Sequence, residues 1–372
     1  MSNQPFCKPL GFAALFGLVA LALSTSSCAQ SEASRPDDQQ DAVMQAIRDY
    51  GRGHQSLLTQ ANPPKPDQLD VSYSANIRSI LFQEDFAQLE KIAKQNRVEK
   101  GRLIGGTWKI VGLYNGTSAP GGEGVPPDSD WQNLLAKLQK WQAAFPDSST
   151  AHLSLAYFYV NYAWSARGIG LANAVEDAQW KLFGERNARA KSILLEAATL
   201  KEKDPFWYQV MQLIARNEGW DKAVARELFD QAIAFEPGYY HYYIEQSRFL
   251  LPQWYGEPGD IQAFANETLR RVPEPDGSML YFWIFSSEVC YCQQGMEALT
   301  QANYPKLRQG YVNINNFYGL SNLNANRFAF MAGVNKDKLS AQEAFASVTK
   351  MDEDIWQSEQ TFEEFRTWAN AP

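Results

Sequence analysis

The sequence predicts an all-α protein, an irregular stack of antiparallel helical hairpins forming an α/α superhelix. The first observation is a spacing, A-x3-F-x2-A-x4-P, carried by Ala225, Phe229, Ala232 and Pro237. The second is its recurrence. Ala190, Leu194 and Ala197 repeat the first three steps one hairpin earlier, and Ala341 with Phe345 echoes the start near the C-terminus. Small residues let two helices approach closely, large ones fill the groove, and proline ends the second helix, which is how stacked helix pairs are specified. The third is that strand signals are nearly missing while apolar residues recur at helical spacing.

In chain order, residues 1–27 read as a signal peptide. Lys8 is the one charge before Leu10–Leu23, an apolar run of 14 residues. That length suits a signal core and falls short of the roughly 20 residues needed to span a bilayer. Leu23-Ser24-Thr25-Ser26-Ser27-Cys28 follows, and it resembles the lipobox of bacterial lipoproteins, with Thr25 standing where leucine is usual. The resemblance implies lipid attachment at Cys28. Because Ala29-Gln30 places no aspartate after the cysteine, it also implies the periplasmic side of the outer membrane. Ser27-Cys28-Ala29 alternatively serves as a small-x-small site, and cleavage after Ala29 then releases a soluble periplasmic or secreted chain. Both readings export the protein to the bacterial envelope.

Residues 28–75 are rich in Ser, Gln, Asp and Pro and read mainly as a disordered tether, with room for a short amphipathic helix around Val43–Tyr50. A helical-hairpin domain is expected over 76–299. It opens with one apolar stripe through Leu81, Phe86, Leu89 and Ile92 that ends at Gly105-Gly106. Trp108–Tyr114 is a short apolar element, and Asn115–Asp130 reads as a Gly/Pro loop. Its Gly121-Gly122-Glu123-Gly124 lacks the Lys-Ser/Thr of a phosphate-binding loop. Helices are then expected over Trp131–Phe145, His152–Trp164, Val175–Leu200, Phe206–Asn217, Lys222–Phe235, Tyr239–Leu251, Ile261–Arg271 and Met279–Cys290. Ser148 or Ser149 is the natural cap after Pro146. Residues 300–372 are expected to add helices over Tyr304–Phe317, Leu323–Val334, Ser340–Val348 and the Asp352–Pro372 tail, packing on the same stack.

Composition narrows the partners. The net charge of −8 becomes −9 when Lys8 leaves with the signal, which argues against nucleic acid and against adhesion to anionic lipid by charge; membrane contact is expected only through an N-terminal lipid. With 11 Trp, 17 Tyr and 21 Phe there is ample material for a core and for a contact surface. Cys290 and Cys292 remain after export. They are buried thiols or a local redox pair, and no metal site or cofactor is expected, since His54, His152 and His241 lie far away in sequence.

Several pieces recur in a fixed order. They are Phe86-x2-Leu89-Glu90, Gly106-x-Trp108-Lys109, Ala163-Trp164-Ser165-Ala166-Arg167-Gly168, Asp204-Pro205-Phe206-Trp207-Tyr208, Glu236-Pro237-Gly238-Tyr239-Tyr240 and Leu251-Pro252-Gln253-Trp254-Tyr255-Gly256. Over about residues 80–290 the chain thereby resembles the bacterial family called domain of unknown function 4034. The resemblance implies a helical fold similar to tetratricopeptide repeats and no catalytic residues. A strict 34-residue period is not kept, since Ala190 and Ala225 are 35 apart while Leu134 lies 56 before Ala190.

In such stacks the first helix of each pair lines the concave face. The expected groove therefore carries Tyr162 and Trp164, then Trp207 and Tyr208, then Tyr239 and Tyr243, with Trp254 in the following turn. Stacked rings suit a peptide or glycan, and the same rings equally suit packing between hairpins. Arg167 either anchors a carboxylate or satisfies the carbonyls at its helix end. His241, among four tyrosines, reads as a packing residue. Asn324 with Arg327 loosely resembles the clamps by which tetratricopeptide domains hold a peptide terminus, and turn or cap duty is the other use. No H-E-x-x-H, G-x-S-x-G or complete P-loop is present. Two functions are expected: an exported scaffold binding a peptide or protein partner, or a cell-wall glycan- or peptide-processing enzyme using carboxylates such as Glu245 and Glu288.

Overall fold

The computed structural model describes residues 36–54, 69–122, 124–168, 172–287 and 302–371, with the single positions 56, 66 and 299. The signal peptide, Cys28, Cys290 and Cys292 lie outside the described residues. Among the described residues there are seventeen helices and no strand, so the chain is all-α. They are α1 Pro36–Tyr50, α2 Asp70–Phe82, α3 Phe86–Glu99, α4 Lys109–Ser118, α5 Asp128–Ala144, α6 Ser149–Arg167, α7 Asp177–Ala198, α8 Phe206–Glu218 and α9 Lys222–Phe235. There follow α10 His241–Phe249, α11 Asp260–Arg271, α12 Asp276–Ser286, α13 Tyr304–Tyr318, α14 Asn322–Val334, α15 Lys338–Ala346, α16 Glu353–Trp356 and α17 Glu359–Asn370.

The hairpin pattern places its residues at the helix contacts. Ala190, Leu194, Ala225, Phe229, Ala232 and Ala341 are each at most 3% exposed. α6 pairs with α7, α8 with α9 and α11 with α12, while α4, α6, α8, α10 and α12 pack side by side as a row of first helices. α13 continues on α12, and α14 to α17 pack on one another beyond it. Local chemistry sets the ends: the Ser148 hydroxyl accepts from the Ala151 N–H at 3.0 Å, and Gly219 closes α8 in the left-handed region at φ +70.

Three regions differ from the sequence expectation. The single stripe over 81–92 is two helices, because Glu84 turns at φ +60 and the Asp85 carboxylate caps the Gln88 N–H at 3.0 Å. The apolar element after Trp108 is α4, which runs through the expected loop start to Ser118. Gly112 and Gly116 are its contact face rather than breakers: a Cβ on Gly116 would stand 2.5 Å from the Ser74 carbonyl oxygen, so glycine is what lets α2 and α4 touch. The expected tether contains α1, which docks on α7 and α9 and buries Val43, Met44, Ile47 and Tyr50. Tyr50 stacks on Trp207 at 4.2 Å, and the Tyr208 hydroxyl donates to the Ile47 carbonyl at 2.9 Å. Burying an apolar side chain stabilises by about 1.5–3 kcal/mol, so four of them hold this helix down.

The early and late hairpins meet at the loop between α3 and α4. The Gly105 N–H donates to the Tyr318 carbonyl at 3.2 Å, and the Asn324 side chain donates to the Gly105 carbonyl at 3.2 Å. The loop passes close under α12, where Gly106 at φ +95 leaves room for Trp283.

Candidate functional site

Most of the ring residues expected in a groove are core. Trp207, Tyr208 and Tyr239 have no exposed surface, and Tyr243 packs edge-on against Phe229 at 5.2 Å. Trp207 donates its indole N–H to the Leu194 carbonyl at 2.7 Å, and the Tyr239 hydroxyl donates to Gln209 at 2.6 Å. Tyr162 is buried against Trp131 at 5.1 Å, with its hydroxyl bonded to Asp128. A first helix packs against its hairpin partner, its row neighbours and, at α8, α1, so little of its circumference is left for solvent. Asn324 is buried with its carboxamide committed to Gly105, and Arg327 is half-buried one turn on.

The Asp204-Pro205-Phe206-Trp207-Tyr208 segment explains why α8 starts where it does. Asp204, fully buried, accepts from the Phe206 N–H at 2.9 Å, from the Tyr114 hydroxyl at 2.8 Å and from Arg97 at 3.0 Å. Its own N–H donates to the Tyr50 hydroxyl at 2.8 Å. Burial works against the Arg97 charge, yet Asp204 and its neighbours hold the guanidinium above its ordinary range. Both carboxylate oxygens are satisfied, as a structural centre requires.

Three expected residues do come together. Trp164 meets Trp254 edge-on at 6.0 Å, and the Arg167 guanidinium lies 5.3 Å from the Trp164 ring. Arg167 also donates to the Gly168 carbonyl at 3.1 Å, the helix-end role weighed above. Both tryptophans are only partly buried. The Tyr255 hydroxyl fixes their turn by donating to the Arg216 carbonyl at 2.9 Å.

Arg216, whose guanidinium lies 5.3 Å from the Trp254 ring, opens a charged cluster that the motif search does not single out. It pairs with one oxygen of Glu245 at 3.0 Å, and Arg248 pairs with the other at 3.0 Å. Arg216 is 8% and Glu245 5% exposed. Two cations thus meet at one buried carboxylate. Burial, and then Glu245, push the nearby Tyr157 hydroxyl up to about 12. Gln212 Oε1, Arg216 Nε and Gln253 Oε1 are buried here without a hydrogen-bond partner.

A sequence signal for this cluster exists. Gln209, Gln212 and Arg216 fall at i, i+3, i+7 on α8, and His241, Glu245 and Arg248 at i, i+4, i+7 on α10, so each set shares one helical face. A polar stripe inside an otherwise apolar helix is costly unless it is used.

Other surfaces offer less. A depression of about 680 Å³ between α9, α10 and α11 is lined by charges that pair among themselves, Lys222 with Asp260 at 2.5 Å and Arg226 with Glu267 at 2.7 Å. Among the described residues, no group of three or more His, Cys, Asp or Glu is gathered for a metal ion, and no helix is long and apolar enough to cross a membrane.

The family described as Domain of unknown function (DUF4034) matches residues 74–219. The matched stretch runs from within α2 to the end of α8, and over it the chain is similar to that family. It contains the Asp204 centre, Trp164 and Arg216, while Glu245, Arg248 and Trp254 lie beyond it. The Glu236–Tyr240 and Leu251–Gly256 pieces of the sequence resemblance also fall outside the match. No curated protein and no solved structure matches the chain.

Proposed function

We propose that this is an exported helical-hairpin scaffold that binds a peptide segment of a protein partner at the Arg216–Glu245–Arg248 cluster, with Trp164 and Trp254 as the adjoining aromatic surface. The observation that carries the reading is the set of buried, unpartnered polar atoms there, Gln212 Oε1, Arg216 Nε and Gln253 Oε1. Buried polar groups are ordinarily satisfied, and leaving one bare costs about 1–3 kcal/mol. Peptide backbone carries both donors and acceptors, so one segment can serve an amide oxygen and a guanidinium N–H together. Two partly buried indoles add area beside them.

Export and lipid attachment at Cys28 belong to the same proposal. They rest on the apolar run Leu10–Leu23 and the Ser26-Ser27-Cys28 ending. Intact-mass measurement of the mature N-terminus tests them: a diacyl-modified Cys28 supports anchoring, and a start after Ala29 refutes it. The carboxylate-enzyme reading gains nothing from Glu245, whose two oxygens are both ion-paired.

Binding is tested by selecting peptides from a displayed random library on the mature protein and measuring affinity for wild type and Arg216→Met/Trp254→Ala. At least a tenfold loss in the double variant is expected. Selected peptides that bind both proteins equally would refute the assignment.

A further inference from the structure

A second, partly buried guanidinium lies toward the opposite end of α10. Arg102, in the loop between α3 and α4, sits 3.7 Å over the Trp108 ring and 5.9 Å from the Tyr318 ring. Its Nη2 reaches the Gly238 carbonyl at 3.4 Å, but its Nη1 is buried without a partner. Among the described residues no carboxylate forms an ion pair with it, and Asp276 acts on it only through space. Two more nitrogens share that condition. Trp108 Nε1, on a side chain 1% exposed, and His241 Nε2 are both buried and unpartnered.

Ring contacts tie the three together. Trp108 lies 5.1 Å from Tyr239, Tyr239 lies 5.3 Å from His241, and His241 stacks on Tyr240 at 4.2 Å. Burial first, then the charges of Arg102 and Arg248, push the His241 pKa down to about 3. The imidazole is therefore neutral and brings no second charge, only an N–H when the proton sits on Nε2.

A guanidinium with no ion-paired carboxylate, only Asp276 at a distance, and two bare nitrogens are not what close packing produces. All three are complemented by one small oxyanion, with negative charge for the guanidinium and lone pairs for the indole and imidazole N–H groups. A single cation among neutral donors suits a monoanion better than a dianion.

We propose that Arg102, Trp108 and His241 form a subsite for a carboxylate, supplied by the C-terminus or an acidic side chain of the bound peptide. This rests on the peptide-binding reading above, and places the carboxylate at one end of the α10 stripe with the tryptophan surface at the other.

The test follows single indole N–H signals by NMR in the mature protein, Trp108 and Trp254 being assigned from Trp108→Phe and Trp254→Phe. The probes are acetate, inorganic phosphate, and the peptides acetyl-Ala-Leu-Ala-Ala and acetyl-Ala-Glu-Ala-Ala, each as free acid and as amide. A saturable shift of the Trp108 signal with acetate and the free-acid peptides is expected, lost in Arg102→Met and weakened in His241→Asn. Response to both Glu peptides and neither Leu peptide identifies the side-chain source; response to both free acids and neither amide identifies the terminus. Arg102→Lys, which keeps the charge without the fork, serves if circular dichroism shows Arg102→Met unfolded, and at least a fivefold weakening is expected. An unmoved Trp108 signal, an equal shift in the Arg102 variant, or tighter binding of phosphate overturns the subsite. A Trp254 response without a Trp108 response sinks the subsite and leaves the peptide reading standing; silence at both sinks the two together.

Discussion

Two buried polar centres in this chain look alike in sequence and differ in their completeness. Around Asp204, an arginine, a tyrosine and a backbone N–H account for both carboxylate oxygens, and the aspartate's own N–H donates to a second tyrosine. Along α8 and α10, the buried Arg216 and Gln212 and the partly buried His241 keep bare atoms. Full satisfaction marks a group that holds helices together. Incomplete satisfaction in an otherwise well-packed body leaves a group open to a partner of the kind proposed above. Burial by itself does not separate the two; the state of each polar atom does.

The sharpest way to break this distinction is Asp204→Ala. It strands the Tyr114 hydroxyl and leaves Arg97 to Glu202 and Thr150, and breaking such a buried pair costs about 3 kcal/mol. A urea titration showing a loss below about 1 kcal/mol would remove Asp204 from its structural role. Next in size is Tyr50→Ala, expected to cost about 3 kcal/mol by deleting a buried ring that stacks on Trp207, and to raise amide exchange across α1. If exchange in α1 is already fast in the wild type, the helix is not docked as described.

Arg216→Met should cost only about 1 kcal/mol, because Glu245 keeps Arg248, while peptide affinity falls at least tenfold. A stability loss matching Asp204→Ala would make the cluster another structural centre. The smallest effect concerns acid. A histidine whose folded pKa is about 3 binds fewer protons than its unfolded counterpart, so stability is full above about pH 6.5 and falls as pH drops toward 3. His241→Asn should flatten thermal stability between pH 6.5 and 4.5, a range above most carboxylate titration. Identical wild-type and variant profiles there would mean that His241 is not buried neutral.

Much of the architecture was legible because it rests on local spacing. Ala190, Leu194, Ala225, Phe229 and Ala232 occupy the helix contacts their pattern requires, and Ser148 caps α6. The misread stretches share a cause. Gly112 and Gly116 permit either a loop or a tight helix crossing, and only the presence of α2 decides. Val43, Met44, Ile47 and Tyr50 gave a helical signal too short to outweigh polar surroundings, and the rings that settle it lie more than 150 residues away. The site was harder still. Aromatic content does not say whether a ring faces solvent, so Trp207 and Tyr239 looked equivalent to Trp164 and Trp254. The periodic placing of His241, Glu245 and Arg248 was visible, but its meaning required knowing that α8 brings Arg216 opposite.

The seating of α1 has a mechanical consequence. About eight residues separate Cys28 from Pro36, and at roughly 3.3–3.6 Å per residue they span under about 30 Å. With a lipid at Cys28, the leash is short, and the molecule rides within about its own width of the bilayer. Tension on that leash would pass from α1 through Tyr50 to the backbone of Asp204, where α1, α3, α4 and α8 meet, so a drag on the anchor is borne by that joint.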